Sequence, residues 1–390
     1  MPQRVSKRHD LAPDGVRGAH RLRIGIDAHA IGSRLGGNET YVAGLLSGLE
    51  RIETPHEFVA YFPSEEAAAP WRGRSGRIEP RVLLAKASVP RLVAELPIRS
   101  RKDGLSLLHV QYFAPPACPV PFVPVMHDIS FATFPRFFSR KDLLRFRLGI
   151  GWTVRRARRV LTISESSKRD IVGRYGVPAS RVDVAHLGVD HRQFHPRQDG
   201  TTPGASPWGC AWPYVLAVGN VQPRKNLSRL LGAFARARKK SPDLPHRLLL
   251  VGKDAFRHRE VTARIHALDL DDWVHRTGYV AADQLASLYR GAAVFCYPSL
   301  YEGFGLPVVE AMASGTPVIA SNNSSIPEVA SGSAILVDPE DEESIADALV
   351  EVLTSADKRG TLSMLGVERA RQFNWEATAR AVVASFEAAL

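Results

Sequence analysis

The feature that most limits how this chain can fold is a repeated alternation of short apolar runs with longer, helix-periodic stretches. Apolar runs occur at 22–28 (L-R-I-G-I-D-A), 58–61, 82–84, 107–110, 123–126, 160–163 and 182–185. They recur at 214–218, 247–252, near Trp273, and at Ala293-Val294-Phe295-Cys296. Helices fit between them from Asn38, which can cap the first, and at 90–99, 140–158, 165–175, up to about Leu268, and at 283–290. Strands alternating with helices predict α/β architecture, with parallel sheets covered on both faces. In such sheets ligands bind beyond the C-terminal ends of the strands, so the residues just after each run are where chemistry is expected.

At 390 residues the chain is too long for one core and suits two domains. Residues 1–20 are basic and polar without the apolar segment of a secretory signal, and read as a disordered lead-in. Residues 193–213 are rich in Gly, Pro, Ser and Thr without periodicity and read as a linker. The expected domains are therefore 21–192 and 214–373. No apolar stretch approaches the length of a membrane span. Three cysteines, Cys118, Cys210 and Cys296, are odd in number and lack metal-ligand spacing, which points to a reducing, cytoplasmic setting.

The stretch from Pro298 to Pro317, P-S-L-Y-E-G-F-G-L-P-V-V-E-A-M-A-S-G-T-P, carries the densest chemical signal. A buried strand leads into a glycine turn, Pro307 suits the first helical turn, and Gly315 suits the helix end. A strand, glycine turn and helix start offer free N–H groups and a positive dipole end to an anion. Glu302 lies in the turn and Glu310 one turn into the helix. A phosphate would take the N–H groups, and carboxylates suit sugar hydroxyls. Spacing alone is equally met by an ordinary helix with acids near its start.

Three further sites follow strand ends. Gly32 to Gly37, G-S-R-L-G-G, forms a glycine turn before the first helix, a weak motif by itself. His127-Asp128 follows F-V-P-V-M; a histidine there can donate a hydrogen bond or shuttle a proton, or be a structural residue held by a carbonyl. Gly219 to Leu227, G-N-V-Q-P-R-K-N-L, places Arg224 and Lys225 where two cations can neutralise a diphosphate, although adjacent cations are common on surfaces.

Taken together these segments resemble the retaining glycosyltransferases of family 4, which have the GT-B fold. The Glu302-x7-Glu310 pair within Y-E-G-F-G-L-P-V-V-E-A-M-A-S-G is similar to the family signature. H-L-G-V-D (186–190), G-N-x-x-P-R-K-N-L, T-G-Y-V (277–280), V-I-A-S-N-N-S-S-I-P-E-V (318–329) and F-N-W-E-A-T-A-R (373–380) extend the likeness over most of the chain. Asn220 departs from relatives that have arginine directly after the glycine, and Arg224 is expected to supply that charge.

The resemblance implies two Rossmann-like domains facing across a cleft, with a last helix, about 374–390, packing back on the first. It implies catalytic parts for His127, Glu302, Arg224 and Lys225. Donor contacts are implied for Gly36, Gly37, Gly219, Val280, Phe304, Gly305, Leu306 and Glu310. Ser324 and Ser325 are expected near the phosphates. No metal or other cofactor is implied; Asp269-Leu270-Asp271 mimics a metal-binding triplet but sits in a polar loop. The wording around Arg224 and Glu302 resembles members that use GDP-mannose, so the donor is expected to be a nucleotide sugar, possibly GDP-mannose. The acceptor is expected to be a glycan or lipid-linked hydroxyl. A UDP-glucose-type donor, a sugar-nucleotide epimerase and a non-catalytic sugar-nucleotide binder remain as alternatives.

A net charge of +11 is concentrated between Arg136 and Arg169, where eleven basic residues face Asp142 and Glu165. No nucleic-acid motif accompanies them. The stretch fits a core-packed helix with a solvated basic face, or docking on an anionic membrane surface, which would make the protein peripheral on the inner face.

Overall fold

A computed structural model describes residues 21–33, 36–74, 76–197, 212–254 and 258–390, the side chains of Phe137 and His258 excepted. The lead-in at 1–20 and the linker segment 198–211, with Cys210, lie outside the described residues.

Two parallel sheets form the frame. The first contains β1 (Arg23–Asp27), β2 (Glu57–Phe62), β3 (Ile78–Val82), β4 (Leu107–Gln111), β5 (Phe122–Met126), β6 (Val160–Thr162) and β7 (Val182–Val184). Their order is β3-β2-β1-β4-β5-β6-β7. The second contains β8 (Tyr214–Val218), β9 (Arg247–Val251), β10 (Val274–Gly278), β11 (Val294–Tyr297), β12 (Val318–Ser321) and β13 (Ile335–Val337), ordered β10-β9-β8-β11-β12-β13. Every pairing is parallel, and the central strands are buried along their length, which is why their sequences are apolar without alternation. Chain order reverses at β1/β4 and at β8/β11, and a crevice opens at each switch point.

Local chemistry moved some expected boundaries. The apolar run at 82–84 is not the strand: β3 is Ile78–Val82, and Leu84 is 84% exposed. Pro80 is tolerated within β3 because that strand is at the sheet edge. The helix expected at 90–99 runs from Ser88 to Lys102, with a π-helical turn at Arg91–Glu95. Asn38 does not cap the first helix. That helix is Gly37–Arg51 with Gly36 at the cap position, φ 70°. Glu39 instead reaches back to accept the N–H of Gly32 at 2.8 Å, tying the turn to the helix.

The last helix, Trp375–Glu387, lies on helix Gly37–Arg51 of the first domain. Two glycines make room for it. A Cβ on Gly44 would fall 2.1 Å from the Trp375 ring, and one on Gly48 2.2 Å from the Trp375 carbonyl oxygen. Glu387 then meets His56 Nε2 at 3.0 Å, and the Phe386 ring lies 5.2 Å from His109. Among the described residues, no helix is long and apolar enough to cross a membrane.

Candidate active site

Between the two sheets lies a cleft of about 420 Å³. From the first domain it is lined by Gly36, Gly37, Tyr112, His127 and Asp128, and from the second by Gly219, Arg224, Lys225, Tyr297, Glu302, Phe304, Gly305, Leu306 and Glu310. The residues for which catalytic parts or donor contacts are implied therefore all line one cleft, except Val280. Val280 is 7% exposed and packs in the core, while the neighbouring Tyr279 is 59% exposed with Lys253 Nζ 4.8 Å from its ring centre. A larger hollow, about 620 Å³, opens beside the starts of β8 and β12. Its Arg359 donates to the carbonyls of Val352 and Leu353 at the end of helix Glu342–Thr354, so that charge serves a helix terminus.

The centre of the cleft is the carboxylate of Glu302. Arg224 Nη1 donates to Glu302 Oε2 at 2.7 Å and to the Tyr301 carbonyl at 2.7 Å. Lys225 Nζ donates to Glu302 Oε1 at 2.7 Å, and the Tyr297 hydroxyl donates to the same oxygen at 2.9 Å. Lys225 Nζ also contacts the Tyr297 hydroxyl and stands 4.7 Å from its ring centre. Tyr297 ends β11; nothing marked it in the sequence beyond its place at a strand end.

Burial pushes the Glu302 carboxyl up, but the Arg224 guanidinium and the Lys225 ammonium outweigh it and hold it at about 2. Burial lowers Lys225 to about 8 even with Glu302 opposing it, and Arg224 adds to the fall. Arg224 is raised, because Glu302 and Asp128 overcome its burial. The pair of cations thus shares one carboxylate and retains an excess of positive charge toward the cleft.

The glycine turn is fastened by the two serines expected near phosphates. Ser324 Oγ accepts the Glu302 N–H at 3.0 Å, and Ser325 Oγ donates to the carbonyls of Glu302 and Phe304 at 2.9 and 2.8 Å. Gly305 at φ 103° then starts helix Leu306–Ala313, with Pro307 in its first turn. A side chain at Gly305 would be strained by that φ and would also meet Ile326 Cδ1 at 2.5 Å. Glu310, one turn along, accepts from the Tyr289 hydroxyl at 3.0 Å, and burial raises its carboxyl to about 7.

His127 faces this loop across the cleft. It is 6% exposed, and its Nε2 lies 3.2 Å from Gln111 Oε1. Burial, with His109 nearby, holds its imidazole at about 3. It is neutral near pH 7, and a neutral imidazole offers one N–H donor and one acceptor nitrogen. The domains also touch beside it. A Cβ on Gly303 would fall 2.5 Å from the His127 carbonyl oxygen, and Ser167 Oγ is shared between the carbonyls of His127 and Gly303 at 3.2 and 3.3 Å. The Tyr301 hydroxyl donates to Asp170 Oδ2 at 2.6 Å.

Comparisons with known proteins bear on family and fold. The family described as Glycosyltransferase Family 4 matches residues 35–193, and the one described as Glycosyl transferases group 1 matches 212–355. The MMP alpha-(1->4)-mannosyltransferase of Mycolicibacterium hassiacum is 31% identical over 87% of this chain and 82% of its own. The O-antigen chain mannosyltransferase B of Escherichia coli is 29% identical over 65% of this chain and 67% of its own. Among solved structures, sucrose-phosphate synthase from Thermosynechococcus elongatus superposes with a TM-score of 0.71 at 24% identity, covering 94% of this chain and 98% of that one.

Proposed function

The chain belongs to glycosyltransferase family 4, with the two-domain GT-B fold, and on that footing we propose that it moves mannose from GDP-mannose to an acceptor hydroxyl, retaining the anomeric configuration and using no metal ion. The observation that carries this reading is the Arg224–Glu302–Lys225 cluster on the floor of the cleft, with Glu310 one helical turn away. Mannosyltransferases among the relatives support the choice of sugar.

In this reading the leaving nucleoside diphosphate lies over Arg224, Lys225 and the N–H groups at the start of helix Leu306–Ala313. Unit charges 4 Å apart attract by about 4 kcal/mol in a partly screened site, so two fixed cations supply much of what a divalent metal would. Glu310 holds the ribose hydroxyls. Glu302, kept ionised, accepts from the sugar hydroxyls and steadies positive charge developing at the anomeric carbon. His127, neutral, offers a hydrogen bond from the facing domain. Gly36 and Gly37 let sugar and acceptor approach the first domain, because among the described residues nothing lies within 4 Å of where a Cβ would sit on either. The acceptor hydroxyl attacks from the face the diphosphate leaves, its proton passing to the departing phosphate oxygen as the anomeric C–O bond breaks, and domain closure sequesters the reaction.

We take the acceptor to be a glycan or a lipid-linked hydroxyl, and the basic stretch Arg136 to Arg169 to face an anionic membrane from the cytoplasmic side. The decisive experiment incubates the protein with GDP-mannose, UDP-glucose and related donors and follows nucleoside diphosphate release with and without acceptor glycans. Acceptor-dependent release of GDP supports the proposal. Acceptor-dependent release of UDP reassigns the donor, conversion without acceptor indicates an epimerase, and binding without turnover indicates a binding module.

A further inference from the structure

Outside the cleft, one surface of the first domain stands out. Leu84, Val89, Val93, Leu144 and Leu148 are 84, 69, 56, 61 and 67% exposed. They come from only two segments, residues 84–98 and helix Arg140–Arg156. Between these segments runs an apolar groove of about 430 Å³, walled by Val89, Val93 and Leu148 and lined further in by Phe113 and Trp152. Single exposed aliphatics are ordinary, but a contiguous group around an apolar groove marks an interaction site.

Basic side chains accompany the groove. Arg145 lines it, with its guanidinium 5.0 Å from the Phe113 ring centre, and Arg140, Lys141 and Arg147 are exposed on the same helix; among the described residues no carboxylate pairs with any of the four. The acids of the two segments are already engaged. Glu95 accepts the N–H groups of Leu84 and Ala85 at 2.8 and 2.7 Å, and Asp142 accepts from Ser139 Oγ at 2.6 Å. Two kinds of unmet demand therefore sit side by side: aliphatic surface in need of hydrocarbon, and cations in need of phosphate. A nucleic acid would answer the second and leave the first in water. A phospholipid leaflet answers both, with hydrocarbon under the headgroups and phosphates at the level where long basic side chains end.

We propose that this groove docks the protein on a leaflet of anionic phospholipid, with a lipid hydrocarbon chain seated against Trp152 and Phe113. The inference rests on the reading of the Arg136 to Arg169 stretch as membrane-facing and deepens it by adding the 84–98 segment and an occupant for the groove. The position has a consequence for the cleft. Phe113 is in the groove and Tyr112, its neighbour, lines the cleft, so the two sites are one residue apart. An acceptor anchored in the leaflet by its chain would present its polar end to the cleft without leaving the membrane.

The test uses the full chain with vesicles of phosphatidylcholine alone and with added phosphatidylglycerol. Sedimentation reads binding, and tryptophan quenching by lipids brominated along the acyl chains reads insertion. Binding to the anionic vesicles only, weakening with salt, is expected. Quenching should fall clearly in Trp152→Phe, and Val93→Asp with Leu148→Asp should lower partitioning by about tenfold or more at unchanged circular dichroism. No binding of the unaltered chain to either vesicle sinks the membrane reading and the groove together. Binding with quenching unchanged in Trp152→Phe and partitioning unchanged in the aspartate variant overturns the groove alone.

Discussion

Lys225 Nζ and Glu302 Oε1 stand 2.7 Å apart although 77 residues separate them in the chain. One comes from the turn after β8 and the other from the turn after β11, so the contact straddles the switch point of the second sheet. Buried opposite charges of this kind are costly to leave unpaired. The carboxylate holds the two cations in place, and under the proposed function the donor's diphosphate competes with it for them.

Lys225→Ala is therefore expected to lower turnover by about two to three orders of magnitude, the usual cost of removing a donor aimed at developing charge. Arg224 still pairs with Glu302 at 2.7 Å, so the fold should survive. Full activity in a well-folded Lys225→Ala, measured as nucleoside diphosphate release, would remove Lys225 from the mechanism.

Glu310 makes a prediction about pH. Burial raises its carboxyl to about 7, and the Tyr289 hydroxyl opposes the rise. Ribose hydroxyls need the ionised form as acceptor. Nucleotide affinity should then increase as pH rises through 7, and binding near pH 7 should release about half a proton. Calorimetry in buffers of different ionisation enthalpy measures this, and Glu310→Gln should abolish the release. For stability the sign runs the other way. The folded state holds this proton more tightly than the unfolded chain, so the cost is absent below the unfolded value of 4.5 and complete above about 7. Glu310→Gln should accordingly be more stable than the parent by about 3 kcal/mol above pH 7, and no more stable near pH 4.

The packing of the last helix gives a separate test. A Cβ at Gly44 would meet the Trp375 ring, which can tilt, whereas one at Gly48 would meet the Trp375 backbone, which cannot move without the helix. Gly48→Ala should cost more than Gly44→Ala, by about 1–3 kcal/mol, visible as a lower melting temperature. Equal melting temperatures for the two variants would show that the helix shifts as a body.

What the sequence makes legible is the part written locally. The fold class follows from apolar strand runs that need cover on both faces, and the donor-side residues follow from motifs at strand ends. Residues brought together by tertiary packing leave no such trace. Tyr297 lies just past the apolar run that ends at Cys296, and nothing in the sequence marks it until β11 places its hydroxyl on Glu302. Val280 sits in a motif-like turn but turns into the core. The run at 82–84 misleads because Leu84 is apolar yet exposed. Asn38 fails as a cap because the helix already begins at Gly37, with Gly36 in the cap position.

The contact between the domains sets the last prediction. Glu328, from helix Ile326–Ala330 of the second domain, accepts the N–H of Glu165 at 3.0 Å and of Ser166 at 3.3 Å, at the start of helix Glu165–Tyr175 in the first. Ser164 Oγ serves the next free donor there, accepting the Ser167 N–H at 3.0 Å, so a carboxylate from one domain completes the cap of a helix in the other. His186 Nε2 lies 2.6 Å from the same carboxylate. Burial pushes Glu328 up, but His186 and the helix N–H groups bring it below its ordinary value. Its contribution is thus present above the unfolded carboxyl value and lost as pH falls through the lowered folded one. Glu328→Ala should weaken domain contact by about 1–2 kcal/mol. Small-angle scattering should show a larger radius of gyration for this variant without nucleotide, approaching that of the parent when nucleoside diphosphate is added. An unchanged radius would mean that Tyr301 on Asp170 and Ser167 on Gly303 hold the domains together unaided.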